Sequence, residues 1–317
     1  MTENLEPRHD VVVVGGGAAG LSGALTLARA RWRTLVVDAG EPRNAPAGAV
    51  HGLLGREGTA PADLLATGRA EVRAVGGHLV AGRVADAVRD DDPTHPFRVT
   101  LADGRETRAR RVLMATGLVD ELPAVPGLAE RWGRDVLHCP FCHGYEVRDQ
   151  RLGVLATGPH AVRQALLFRQ WSPHVTLLTH TAGAVAAEDA ARLAHRGVEV
   201  RGGEVARLDV VDDRLTGVVL ADGSRVDLDA VVVGTTVRVR TDGLAGLGLQ
   251  VAPHPSGMGE HVVADPTGRT SVPGVWVAGN VANLAAQVGN AAAEGAWAAA
   301  QLTMDLIEED SAVPAAR

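Results

Sequence analysis

The segment that most constrains the fold is DVVVVGGGAAGLSGALTLARARWRTLVVDAGE, residues 10–41. Four consecutive valines, Val11 to Val14, read as a strand buried on both faces, because a strand with one wet face would alternate apolar and polar residues. Gly15, Gly17 and Gly20 follow as GxGxxG, then an alanine-rich helix, then the strand TLVVD ending at Asp38. Strand, glycine turn, helix, strand and terminal acid together form a dinucleotide-binding unit. Each residue type has a task. Gly15 permits a tight turn, Gly17 lets a pyrophosphate approach the backbone, and Gly20 lets helix and strand pack closely. Asp38 accepts hydrogen bonds from an adenosine ribose.

The pattern recurs along the chain. In ARRVLMATGLVDELPAVPG a strand, Val112 to Ala115, ends in Thr116 and Gly117, and Pro123 and Pro126 then mark a change of direction and a boundary near residue 118. The middle region carries RLGVLATGPHAVRQALLFRQWSPHVTLLTH, again strand, turn, helix and strand, but with Ala156, Gly158 and Ala161 in the degenerate turn. Its second strand ends at His180, followed by TAGA, where arginines for a 2′-phosphate would be expected. After a second glycine-rich boundary near residue 242, a strand, Val275 to Ala278, runs into Gly279, Asn280 and a long alanine-rich helix. The start of such a helix would stabilise negative charge on a group bound beside it.

Composition excludes several functions. The net charge of −7, with both signs interspersed, offers no basic face for nucleic acid. The chain contains no lysine, so a Schiff-base lysine and a Walker-type phosphate lysine are excluded. The N-terminal MTENLEPRHD is polar and the valine run after it is too short for a secretory signal or a membrane span, so a cytoplasmic chain is expected.

The 2 cysteines both lie in LHCPFCHGYE, residues 137–146. CxxCH is the c-type haem attachment pattern, HCxxCH offers zinc ligands, and CxxC is a redox dithiol. Haem attachment requires export, and zinc requires a second ligand pair; neither is visible.

The whole set of motifs resembles the thioredoxin reductase-like flavoproteins of the pyridine nucleotide-disulfide oxidoreductase family. The resemblance rests on GGGAAG (Gly15 to Gly20), ATG (Ala115 to Gly117), CPFC (Cys139 to Cys142) and TSVPGVWVAGN with Gln287 beyond it. It implies an α/β chain of two Rossmann-like three-layer domains, the second inserted in the first: residues 1–118 plus 243–317 for FAD, and 119–242 carrying the CxxC on a degenerate NAD(P)-like domain. By the same resemblance, FAD is held by Gly15, Gly17, Ala18, Gly20, Asp38, Thr116, Gly117, Gly279, Asn280 and Gln287. Arg43 and Asn44 are expected to reach the pyrophosphate or the flavin, and Val84 to border the adenine through its backbone. Asn280 departs from the family's aspartate, but an amide still hydrogen-bonds a ribityl hydroxyl.

CxxCHGYE and the missing NADPH signals resemble one branch of that family, the dithiol oxidases that close disulfides in gliotoxin- and holomycin-type metabolites. The implied roles are Cys139 for exchange with a small-molecule dithiol, Cys142 for electron donation to FAD, and His143 for proton uptake. Molecular oxygen is then the acceptor, hydrogen peroxide the product, and a homodimer the expected assembly. No metal, nucleic acid or membrane is expected to take part. The alternatives are an NADPH-dependent disulfide reductase and a flavin redox sensor without turnover. His51, His254 and His261 read as loop histidines, any of which could line the flavin or substrate cavity, and Trp297 as core or dimer packing.

Overall fold

The four valines of the fingerprint divide their side chains between two cores. Val12 and Val14 join a cluster with Leu35, Val37, Val112 and Met114, whereas Val11 and Val13 meet Leu27, Val36, Leu113 and Trp276. All four are at most 5% exposed, and burying each such side chain contributes about 1.5–3 kcal/mol. This is why the run does not alternate with polar residues. The structure is a computed structural model and describes residues 5–312.

The chain divides into two units. The first comprises the residues up to Ala45, Ala60–Val119 and those from Val237 onward; the second comprises Pro46–Thr59 and Asp120–Thr236. The segment 46–59, read from sequence as part of the first domain, groups with the second unit, and residues 237–242 group with the first.

In the first unit one sheet runs in the order His78–Ala81, Thr34–Asp38, Arg8–Val14, Glu106–Met114, Phe97–Leu101, Val84–Arg89, with Val275–Val277 also paired to Glu106–Met114. The long strand Glu106–Met114 changes partner along its length: its first half pairs antiparallel with Phe97–Leu101, and Val112 to Met114 pair parallel with Val275–Val277. The strands bearing the fingerprint are parallel, so their carboxyl ends open on one edge, where open α/β sheets bind ligands. The helices Ala18–Arg29 and Val288–Ser311 pack closely because both are small at their crossing; a Cβ on Gly295 would lie 2.0 Å from the Ala19 carbonyl oxygen.

The second unit is built on a five-stranded parallel sheet in the order Glu199–Arg201, Val175–Leu178, Leu152–Leu155, Ala230–Val233, Val136–Leu137. A three-stranded antiparallel sheet, Val205–Val211, Arg214–Leu220 and Arg225–Asp227, accompanies it. Among the described residues no helix is long and apolar enough to cross a membrane.

Candidate functional site

In the first unit, the glycine turn joins strand Arg8–Val14 to helix Ala18–Arg29 with Gly17 as the N-cap residue. Gly15 has φ +107°, and a Cβ there would also lie 2.4 Å from the Ala115 carbonyl oxygen, so both conformation and space demand glycine. A Cβ on Gly20 would sit 1.8 Å from the Gly15 carbonyl oxygen, whereas a Cβ on Gly17 would meet nothing within 4 Å. Gly20 is thus required by the chain's own packing, and Gly17 faces open space at a helix N-terminus. That helix start has no side-chain cap and no acidic residue in its first turn, beginning with Ala18 and Ala19. Its first N–H groups are therefore left for an anion.

Asp38 ends its strand as read. One oxygen accepts from the Gly16 and Gly40 N–H groups, both at 3.2 Å, and the other lies 3.6 Å from Arg69 of helix Pro61–Ala74. Any side chain on Gly16 would displace the acid, since a Cβ there would be 2.5 Å from its carboxyl carbon. Arg43 and Asn44 are half-buried in the turn after Asp38, which the Ala45 N–H closes onto the Pro42 carbonyl at 3.0 Å. Val84 is a core residue at the start of a strand, and its carbonyl is packed against Gly243. The preceding turn is tied to Asp38 by a 2.9 Å bond from Gly82 N–H to the Asp38 carbonyl.

Thr116 spends its hydroxyl on the Arg240 carbonyl at 2.6 Å, and the Gly117 carbonyl accepts from Arg240 N–H at 3.1 Å. At the C-terminal motif the structure departs from the sequence reading. The strand ends at Val277, Gly279–Val281 form a 3-10 turn, and the long helix begins only at Val288, with Gln287 as its N-cap residue. Between them, the Asn280 amide donates to the carbonyls of Asn283 (3.0 Å), Leu284 (3.4 Å) and Ala286 (2.9 Å). Glu294, unmarked by any motif, holds the same loop, accepting from Gly279 N–H at 3.0 Å and the Asn283 amide at 2.7 Å. The residues fit FAD: an open glycine at a bare helix start, an acid at the next strand end, and a loop whose Asn280 keeps its amide oxygen for a hydroxyl.

This arrangement makes Asn280 more than a substitute for aspartate. In Asn280→Asp a carboxylate would face three carbonyls and lose all three bonds. We expect destabilisation of the loop by about 1–3 kcal/mol and weaker FAD retention, read from flavin absorbance after gel filtration; undiminished retention would refute it.

In the second unit, the cysteine motif forms one helical turn, Pro140–His143, with Cys139 as N-cap and Pro140 as the first helical residue. Proline suits that position because its missing N–H is one that a helix start leaves unpaired. The two sulfurs are 2.6 Å apart, and the Cys139 carbonyl accepts from His143 N–H at 3.1 Å. Gly144 lets Trp171 pack on the turn; a Cβ there would be 2.8 Å from the indole. Phe141 and Tyr145 are 62% and 64% exposed, with Phe141 edge-on to Trp171 at 5.7 Å.

His143 is half-buried, and neither ring nitrogen has a hydrogen-bond partner. Burial pushes it below the usual histidine range; the Glu146 carboxylate opposes that shift and His51 adds to it. Sequence reading named His51 only as one of three loop histidines that could line a cavity. It lies in the segment 46–59, with Nδ1 2.6 Å from Glu57 and Nε2 3.5 Å from Glu146. His254 and His261 lie in the first unit, stacked edge-to-face at 5.0 Å, and His261 belongs to the strand Glu260–Val262 rather than to a loop. Trp297 is 54% exposed and so is not core.

The degenerate turn, Ala156 to Ala161, connects Leu152–Leu155 to helix Ala161–Phe168. His180, two residues beyond strand Val175–Leu178, takes φ +41° and turns its Nδ1 to accept from Val205 N–H at 3.0 Å. No arginine stands in the following TAGA.

Comparison with known proteins agrees with these motifs. The family model described as pyridine nucleotide-disulphide oxidoreductase matches residues 9–295. "Thioredoxin reductase tcpT" of Claviceps purpurea is 31% identical, covering 96% of this chain and 98% of that protein. "Thioredoxin reductase sirT" of Leptosphaeria maculans is 30% identical, with 96% of each covered. Among solved structures, HlmI superposes with a TM-score of 0.90 at 48% identity, over 98% of this chain and 96% of that one. An oxidoreductase from Agrobacterium tumefaciens gives 0.88 at 38% identity, over 95% and 99%.

Proposed function

The chain belongs to the pyridine nucleotide-disulphide oxidoreductase family, a family of FAD-binding oxidoreductases, and from that premise we propose that it is a dithiol oxidase closing a disulfide in a small molecule with dioxygen as acceptor. The observation that carries this reading is His143: a buried imidazole with both nitrogens unpartnered, in the same helical turn as the cysteine pair. Burial favours the neutral ring, which leaves it free to accept a proton from a thiol.

The chemistry balances as follows. In the oxidised state, with Cys139 and Cys142 joined as a disulfide, a substrate thiol gives its proton to His143, and the resulting thiolate attacks the Cys139 sulfur. The Cys139–Cys142 bond breaks, Cys142 leaves as thiolate, and a substrate–Cys139 mixed disulfide forms. The second substrate thiol attacks the substrate sulfur of this bond, forming the product disulfide and releasing Cys139, which takes up the second proton. The dithiol left on the enzyme carries the two electrons. Gly15, Gly17, Ala18, Gly20, Asp38, Arg43, Asn44, Val84, Thr116, Gly117, Gly279, Asn280 and Gln287 would hold FAD, which would supply a two-electron acceptor between the dithiol and dioxygen, with hydrogen peroxide as the product.

The exposed Phe141 and Tyr145 beside the cysteines favour a flat apolar substrate. His180 and TAGA supply no cation for a 2′-phosphate, which argues against NADPH as donor. Trp297, Met304 and Ile307, spaced along one face of the last helix and about half exposed, support a homodimer. The relatives are named thioredoxin reductases, and the rival reading is a disulfide reductase driven by NADPH.

Anaerobic bleaching of the flavin separates the two. Reduction by a small dithiol but not by NADPH, with peroxide appearing after air is admitted, is the expected result. Rapid bleaching by NADPH would sink the oxidase reading. Bleaching by dithiol without reoxidation in air would leave only a redox sensor.

A further inference from the structure

His51 has no counterpart in any motif that the function uses, yet the fold places it on the cysteine turn. The segment that carries it is closed on itself: Val50 N–H donates to the Thr59 carbonyl at 2.8 Å, and Gly58 N–H to the Val50 carbonyl at 2.9 Å. Within this loop Glu57 takes the His51 Nδ1–H at 2.6 Å with one oxygen and the Gly52 N–H at 2.8 Å with the other. The ring is thereby fixed in orientation. Its other nitrogen lies 3.5 Å from Glu146 Oε1, three residues beyond His143 in CHGYE, an ion pair when the ring carries both protons. His51 is only 20% exposed, whereas Glu57 and Glu146 are 64% and 39% exposed. A half-exposed glutamate in the turn after a one-turn helix would otherwise sample several rotamers, so a partner held from another segment restricts it.

Resting on the oxidase reading above, we propose that His51, clamped by Glu57, is a positioning residue for the cysteine motif: it holds the Glu146 carboxylate on the histidine side of the redox turn, where that carboxylate steadies the charge His143 acquires on taking a thiol proton. The charged groups facing His143 are Glu146 and His51, with the thiols of Cys139 and Cys142 preceding it in the turn. Those facing His51 are Glu57, Glu146 and His143 itself. The direct charge of His51 opposes protonation of His143, and the carboxylate it holds favours it. The two effects have opposite signs, which makes the role testable.

If His51 acts through Glu146, releasing the clamp removes the carboxylate's support. His143 then gives up its proton more readily, and the acid limb of kcat/KM moves to lower pH. Glu146→Gln must do the same. The variants for FAD-loaded enzyme are His51→Gln, Glu146→Gln and their combination, with Glu57→Ala as a second way to release the ring should His51→Gln fold poorly. We expect each single variant to lower kcat roughly tenfold, a fraction of what a positioned base contributes, with KM within about twofold. The double variant should match Glu146→Gln alone, since both changes act on one carboxylate.

An independent readout is titration of His143 by NMR on histidine-labelled protein without dithiol, its signal assigned by loss in His143→Gln. A downward shift in His51→Gln is expected. An upward shift, an unchanged titration, or additive losses in the double variant would overturn the positioning role. Absence of dithiol turnover in the unmodified enzyme would overturn the oxidase reading instead, and the NMR titration would still decide the role of His51.

Discussion

Cys142→Ser is expected to retain its yellow cofactor and to lose dithiol oxidation by on the order of 10⁴-fold, as removal of an essential nucleophile does. Serine cannot form or release a disulfide, so the exchange at Cys139 has no leaving group and the two electrons cannot be stored on the protein. FAD should stay bound because every residue proposed for its cradle belongs to the first unit and both cysteines to the second. The measurement is the flavin spectrum after gel filtration, followed by anaerobic addition of dithiol. A bleached flavin at the unmodified rate would remove Cys142 from the electron path. Loss of the yellow colour would assign it a structural task in its place.

The second large effect separates two glycines of one motif. In Gly20→Ala the new methyl would fall 1.8 Å from the Gly15 carbonyl oxygen, a backbone atom that cannot swing aside. Strand and helix must separate, and overpacking of this kind costs about 1–3 kcal/mol. Both melting temperature and FAD content should fall. Gly17→Ala meets nothing within 4 Å, and its φ of −78° suits alanine. This variant should keep its apoprotein melting temperature and lose FAD affinity, because the methyl occupies the space a pyrophosphate needs. Equal melting losses in the two would refute the division between packing and binding roles. So would unimpaired FAD binding in Gly17→Ala.

Much of the cradle was legible because its signals are local. Val11 to Val14, Gly15, Gly17, Gly20 and Asp38 lie within one strand–helix–strand unit, where periodicity and glycine spacing report directly on backbone geometry. The structure places that acid and that turn together through the bond from Gly16 N–H to Asp38. The cysteine turn was legible for the same reason, since Cys139, Pro140, Cys142 and His143 are neighbours in one helical turn. The end of the chain was read less well. The helix after Asn280 starts at Val288, because Asn280 and Glu294 hold residues 279–286 in a loop that no propensity marks.

By itself the sequence determined the two chemistries of this protein, a dinucleotide cradle and a vicinal dithiol, because each is written in residues a few positions apart. Only the tertiary structure decided which distant side chains serve them. Arg69 comes to Asp38 from the second helix, and Glu294 to Gly279 from the last. The segment 46–59 leaves the unit that flanks it in sequence and delivers His51 to Glu146. Such approaches depend on the path of a loop across a packed surface, and neither hydrophobic period nor turn residues encode where that path ends.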